Sequence, residues 1–170
     1  QASITPQQVL QILKDGHERF RTGRRLTRDL GRLVNATADG QHPLAVVLSC
    51  IDSRTPAELI FDLGVGDIFS VRIAGNVISR KILGSVEYSC AVAGAKLIVV
   101  MGHTRCGAVT AGVNLMGSAV SAAQATGCQH IGHIVDVIQK SVDPEACRAI
   151  EHCPADEKEA FVNDVARRNV

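Results

Sequence analysis

Two short stretches hold the residue types that could do chemistry. Ser49-Cys50-Ile51-Asp52-Ser53-Arg54 follows the apolar run Leu44 to Leu48, and Gly102-His103-Thr104-Arg105-Cys106-Gly107 follows the apolar run Leu97 to Met101. A buried cysteine alone is commonly a plain core residue, and His-x-x-Cys alone is a weak pattern. The two stretches become informative together because each follows a strand signal. If the runs are neighbouring parallel strands, both emerge at the carboxyl edge of one sheet, where open α/β folds bind ligands. Cys50, His103 and Cys106 then converge as two thiolates and an imidazole, a soft donor set that suits zinc. Three protein ligands leave the fourth position of a tetrahedron open, the mark of a catalytic site. Asp52 and Arg54 stand two residues apart, so in extended backbone they point to one side. An ion pair between them holds a carboxylate ionised near the metal. A purely structural ion pair is the other reading, but the position directly after Cys50 favours function.

The elements that must position these residues alternate along the chain. Thr5-Pro6 opens a helix as N-cap and first residue, with Val9, Leu10, Ile12, Leu13 and Phe20 as its apolar face. Arg19, Arg21, Arg24, Arg25, Arg28 and Arg32 make a basic arm, read as solvated or as lying on a partner subunit. Asp39-Gly40 is a turn, and Leu44 to Leu48 is an aliphatic run of the kind buried on both faces of a sheet. Thr55-Pro56-Ala57-Glu58 starts a short helix with a capping box, ended by Gly64 and Gly66. Ile68 to Ile73 is the second strand, broken by Gly75-Asn76. Ser79 to Ala93 is a helix with Ile82, Leu83, Val86, Cys90 and Ala93 on one side, closed by Gly94. Leu97 to Met101 is the third strand. A small-residue helix follows Cys106 to about Met116, and Gly117 to Gly127 reads as a loop or loose helix continuation. Helical patterns return at Ile131 to Gln139, Pro144 to Ile150 and Asp156 to Arg168. This order predicts an α/β fold with a mostly parallel central sheet flanked by helices.

Composition narrows the function classes. At 170 residues the chain is read as one domain, 1–170, with a helical arm over about 1–40. Only 3% of residues are aromatic against 46% hydrophobic, so the core is aliphatic. A formal net charge of +1 gives no general reason to expect nucleic acid. No apolar run approaches the roughly 18 residues of a membrane helix. Six cysteines in a chain of this length make no disulfide scaffold, and the paired thiolates point to a reducing, cytoplasmic compartment. Cys90, Cys128, Cys147 and Cys153 default to small buried hydrophobes, while His130 and His133 read as surface or interface residues.

With these motifs in hand, the sequence resembles the β-class carbonic anhydrases. The resemblance rests on Cys50-Ile51-Asp52-Ser53-Arg54 and His103-Thr104-Arg105-Cys106-Gly107. Between them, Gly66 to Asn76 and Gly84-Ser85-Val86-Glu87-Tyr88 stay in register, and Gly16-His17-Glu18-Arg19-Phe20 matches upstream. It runs from about Leu13 to Val113 and returns at Asn169-Val170. The family chain continues beyond that Asn-Val into a further helix and an edge strand, so the resemblance implies that this chain lacks them.

The resemblance further implies one Zn2+ per chain on Cys50, His103 and Cys106, with Asp52 and Arg54 as a catalytic dyad beside it. It puts Gln41, Phe69, Ala74, Tyr88 and Gly107 around the substrate. The implied reaction is reversible hydration of carbon dioxide to bicarbonate and a proton, by hydroxide that zinc generates from water. Two rivals share the scaffold: carbon disulfide or carbonyl sulfide hydrolysis, and a non-catalytic bicarbonate-sensing or structural zinc domain of a larger, transporter-fused protein. A homodimer or higher even oligomer is implied, with pockets at the subunit interface. Family members divide into open sites and closed ones, in which the residue at Asp52 becomes the fourth ligand. Here Arg72 is in register for the arginine of a closed-type bicarbonate site, but Val47 stands where its Trp belongs. Gln41 matches the open pattern, so an open site is expected.

Overall fold

The computed structural model describes residues 3–170, divided into two compact units that are taken in turn. The first unit runs to Ser49 and adds Ser53–Arg72 and Ser79–Val100. It holds a three-stranded parallel sheet in the order β2-β1-β3, with β1 Ala45–Ser49, β2 Ile68–Arg72 and β3 Leu97–Met101. All three strand assignments from the aliphatic runs hold to within a residue. β1 is central and buried at every position, the reason it reads as an unbroken apolar run. Its register against β2 pairs Ala45 with Ile68 and Ser49 with Arg72. The chain leaves β1 for β2 on one side and later places β3 on the other, so the strand order reverses between β1 and β3. That is the switch point at which such sheets bind ligands.

Helix α1, Pro6–Arg21, is fixed at its start by a complete capping box between Thr5 and Gln8. Val9 and Leu13 are buried against Ala45 and Leu63, whereas Leu10 and Phe20 stay exposed. Within the basic arm Arg19 and Arg28 turn inward, while Arg21, Arg24, Arg25 and Arg32 stay exposed, as the solvated reading expects. Asp62 is fully buried with φ at +46°, and its carboxylate accepts Arg19 Nε and Arg28 Nη1, each at 2.6 Å, and the Leu26 N–H at 3.2 Å. Arg25 lies 3.7 Å away. Asp62 therefore gathers three arginines in its own unit. Within the arm, Asp29 caps a second helix, α2 Leu30–Ala36. Helix α3, Ala57–Ile60, begins a residue later than the Thr55 motif suggests, with Pro56 extended at its N-cap. Helix α4, Arg80–Ala91, is capped by Ser79. Its apolar side is only half covered, leaving Leu83 and Tyr88 exposed, with Val92 just beyond its end.

The second unit comprises Cys50–Asp52, Ile73–Ile78 and Met101–Val170, that is, the segments following each strand and all later helices. A 3-10 turn, Ala74–Asn76, precedes α5 Gly107–Asn114, α6 Ala122–Thr126, α7 Gly132–Gln139, α8 Pro144–Ala149 and α9 Ala155–Arg168. The stretch Gly117 to Gly127, read as a loop or loose helix continuation, contains a separate helix, α6, held by a Ser121–Gln124 capping box and closed by Gly127 at φ +74°. Val109, Val113, Ile138 and Val165 form the core of this unit, and Cys50 and Cys106 belong to it. Close packing here depends on glycine: a Cβ on Gly112 lies 2.6 Å from Ile138 Cγ2. Cys128 is exposed and Cys90, Cys147 and Cys153 are half-buried, so none of the four is the buried core residue expected by default. They sit on or beside helices whose inner positions are taken by aliphatic residues.

Candidate metal centre

Cys50 follows β1 directly, and His103 and Cys106 follow β3 after Gly102. The turn between His103 and Cys106 is tight because Arg105 adopts φ +55°, a conformation that costs a non-glycine residue and marks a constrained loop. The two sulfurs lie 3.9 Å apart, far beyond the roughly 2.05 Å of a disulfide. Two Zn–S bonds of about 2.3 Å at a tetrahedral angle put sulfurs about 3.8 Å apart. A His103 nitrogen completes the set, with all three donor atoms within 4.8 Å of one another. Among the described residues no other group of His, Cys, Asp or Glu meets that criterion. The convergence expected from the two strand ends is present.

The histidine supplies the sharpest test of whether the residues fit a metal. Its Nδ1 lies 2.9 Å from the Thr104 carbonyl, which can only accept, so Nδ1 carries a proton. In the neutral ring Nε2 then keeps its lone pair. That Nε2 is buried and makes no hydrogen bond. A buried acceptor without a partner is costly, and a metal ion against the two sulfurs removes the cost.

The thiols are tuned in opposite directions. Burial pushes Cys50 up, but its polar neighbours, the backbone at Asp52 and Gly75 among them, outweigh it, and its pKa falls below the ordinary thiol value. Gly75 does so by donating its N–H to Cys50 Sγ at 3.3 Å. Burial pushes Cys106 up; the N–H groups of Val109 and Ala108 oppose this, while the neighbouring Cys50 charge reinforces it. Two buried thiolates at this separation repel each other, and a divalent cation between them relieves that repulsion.

Chain membership is decided by comparison. A family model described as carbonic anhydrase matches residues 45–170. The chain belongs to the carbonic anhydrase family. It is 41% identical over 140 residues to carbonic anhydrase 2 of Mycobacterium tuberculosis, covering 81% of this chain and 63% of that protein. It is 47% identical over 108 residues to the carbonic anhydrase of Mycolicibacterium smegmatis, covering 62% and 52%. The β-carbonic anhydrase CafA of Aspergillus fumigatus superimposes with a TM-score of 0.64 at 27% identity, over 82% of this chain and 62% of that one. The fold is thus that of the β-class. The chain spans less than two thirds of the length of these relatives.

The other residues singled out from the carbonic anhydrase resemblance are distributed as follows. Asp52 is half-buried, with Oδ2 3.8 Å from His103 Nδ1, and Ser53 and Arg54 form the next turn. Phe69 and Tyr88 line one open groove of about 770 Å3 in the first unit, together with Arg72 and Lys81. Gln41 is exposed in the loop before β1. Ala74 starts the 3-10 turn beside Gly75, and Gly107 is the exposed first residue of α5.

Sequence reasoning missed the groups that hold the donor loops. Asn163 Oδ1 accepts the Arg105 N–H at 3.0 Å, and Asn169 Nδ2 donates to the Gly75 carbonyl at 2.7 Å. No local pattern signals Asn163. For Asn169 the one available signal was the return of the family resemblance at the chain's last two residues.

Proposed function

We propose that this chain catalyses the zinc-dependent, reversible hydration of carbon dioxide to bicarbonate and a proton, with Cys50, His103 and Cys106 as the three metal ligands. The observation that carries the reading is the unpartnered, buried Nε2 of His103 beside two sulfurs 3.9 Å apart. Zinc bound there supplies Lewis acidity that makes water a nucleophile near neutral pH.

The chain's own residues do the rest. Asp52, ionised and paired with Arg54, accepts a hydrogen bond from the attacking water and orients it. That role needs a carboxylate which does not itself occupy the fourth ligand position, so the site is open. By the family resemblance, Phe69, Ala74 and Tyr88 face carbon dioxide, Gln41 donates to bicarbonate, and Gly107 contacts the substrate. The product proton leaves to buffer. The working unit is a homodimer or higher even oligomer, in which the exposed apolar side of α4 is covered. Thiols outside any disulfide suit a reducing, cytoplasmic setting. Among the described residues no helix is long and apolar enough to cross a membrane.

Stopped-flow carbon dioxide hydration tests the reading on chain loaded with one equivalent of zinc. The expected result is catalysis that Cys106→Ser abolishes. A zinc-loaded parent no faster than the buffer overturns it.

A further inference from the structure

Helix α9 reaches both halves of the donor group, and it does so with two asparagines. Asn163 accepts the N–H of Arg105, the left-handed residue between His103 and Cys106. Asn169, just past the end of α9, donates to the carbonyl of Gly75, whose own N–H rests on Cys50. Gly75 is left-handed too, at φ +64°, and the following Asn76 is at +44°. Asn76 Nδ2 donates back to the Asn169 carbonyl at 3.5 Å, so the contact runs in both directions. Residues held in sparsely populated backbone regions persist only where the surroundings over-determine them. Asn163 meets the backbone at such a residue, Arg105, and Asn169 meets it at Gly75, directly before another, Asn76.

Packing supports the same arrangement. Val170 Cγ2 lies 2.5 Å from where a Cβ on Gly102 would stand, and the Ala166 carbonyl lies 3.6 Å from it. The end of α9 therefore packs against the residue immediately before His103. Arg105 also reaches Glu159 at 2.7 Å, but both side chains are largely exposed and the pair adds little.

We infer that Asn163 and Asn169 are positioning residues that hold the Cys50, His103 and Cys106 donors at metal-binding separations, so that α9 sets the metal affinity of the site. The inference rests on the metal-centre reading above. Without the clamps the donor loops must be ordered on binding, and affinity falls by the cost of ordering them.

Zinc affinity is measured by competition with a chromophoric chelator for the parent, Asn169→Ala, Asn169→Asp and Asn163→Ala. Asn169→Asp keeps the side-chain size and removes the donor to Gly75. Val162→Ala, a core truncation in the same helix, serves as the comparison. Each asparagine variant is expected to bind zinc about tenfold more weakly, the lower end of the loss for an outer-shell partner. In the cobalt(II) form, each is expected to shift the thiolate-to-metal charge-transfer band. Val162→Ala is expected to lower the melting temperature while keeping zinc affinity within about twofold of the parent. If Asn169→Ala does not fold, Asn163→Ala, which removes one hydrogen bond near the surface, carries the test. Parent-like affinity and spectra in the asparagine variants overturn the inference alone, as does an equal loss in Val162→Ala. A parent that binds no zinc overturns the metal reading with it.

Discussion

The backbone N–H of Gly75 donates to the sulfur of Cys50 at 3.3 Å, across 25 residues of sequence. The contact needs the left-handed backbone of Gly75, which also lies against Ile138 and Ala108. A sulfur of the candidate metal centre is thus held by a glycine that nothing larger can replace without strain.

Gly75→Ala is therefore expected to destabilise the chain by about 2 kcal/mol, from the φ penalty and from overpacking. Its Cβ lies 2.7 Å from Ile138 Cδ1, at a fully buried side chain. Urea denaturation of the metal-free protein checks this, and an unchanged midpoint refutes it.

Asp62 makes stability depend on acid. Burial alone raises its pKa, but hydrogen bonds from Arg19, Arg28 and the Leu26 N–H, with the Arg28 charge, bring it down to about 2. A depressed carboxylate stabilises the fold above its unfolded pKa, near 3.8, and that contribution disappears as pH falls through about 2. The contribution at neutral pH is about 2 kcal/mol. Asp62→Ala is expected to cost about 3 kcal/mol at pH 7, since it leaves three clustered, partly exposed arginines without their shared carboxylate. It is also expected to flatten the pH dependence of the urea midpoint between pH 4 and 2. A variant as acid-sensitive as the parent contradicts the assignment.

Leu83, Tyr88 and Val92 are exposed on and just beyond α4, an apolar surface that a second copy of the chain is expected to cover. Light scattering is expected to show a dimer or larger even assembly, with Val92→Asp shifting it toward monomer. A parent that stays monomeric at micromolar concentration and is fully active rules this out.

Strands were legible because they are short, aliphatic and ended by polar or glycine residues, and the donor set was legible because its members stand directly after two of them. Residue pairs brought together only by tertiary folding were not. Asp62 meets Arg19 across 43 residues, Arg105 meets Asn163 across 58, and Gly75 meets Asn169 across 94. No local periodicity encodes such contacts. The separate start of α6 was missed for a different reason: Ser121 and Gln124 form a readable capping box, but the surrounding Ala, Ser and Gly residues obscured it.

The proposed open site makes a structural prediction of its own. In a zinc-loaded crystal at mildly alkaline pH, Asp52 is expected to pair with Arg54, leaving a solvent oxygen as the fourth ligand. A carboxylate oxygen of Asp52 within about 2.2 Å of zinc contradicts an open site.

The central claim is that Cys50, His103 and Cys106 together hold one zinc ion, and zinc X-ray absorption of the loaded chain tests it most directly. The account predicts a four-coordinate first shell with two sulfurs at about 2.3 Å and two lighter scatterers at about 2.0–2.1 Å, one of them imidazole nitrogen. Cys106→Ser is predicted to lose a sulfur along with most of its zinc. A first shell of nitrogen and oxygen alone, or a parent shell unaltered in Cys106→Ser, contradicts it.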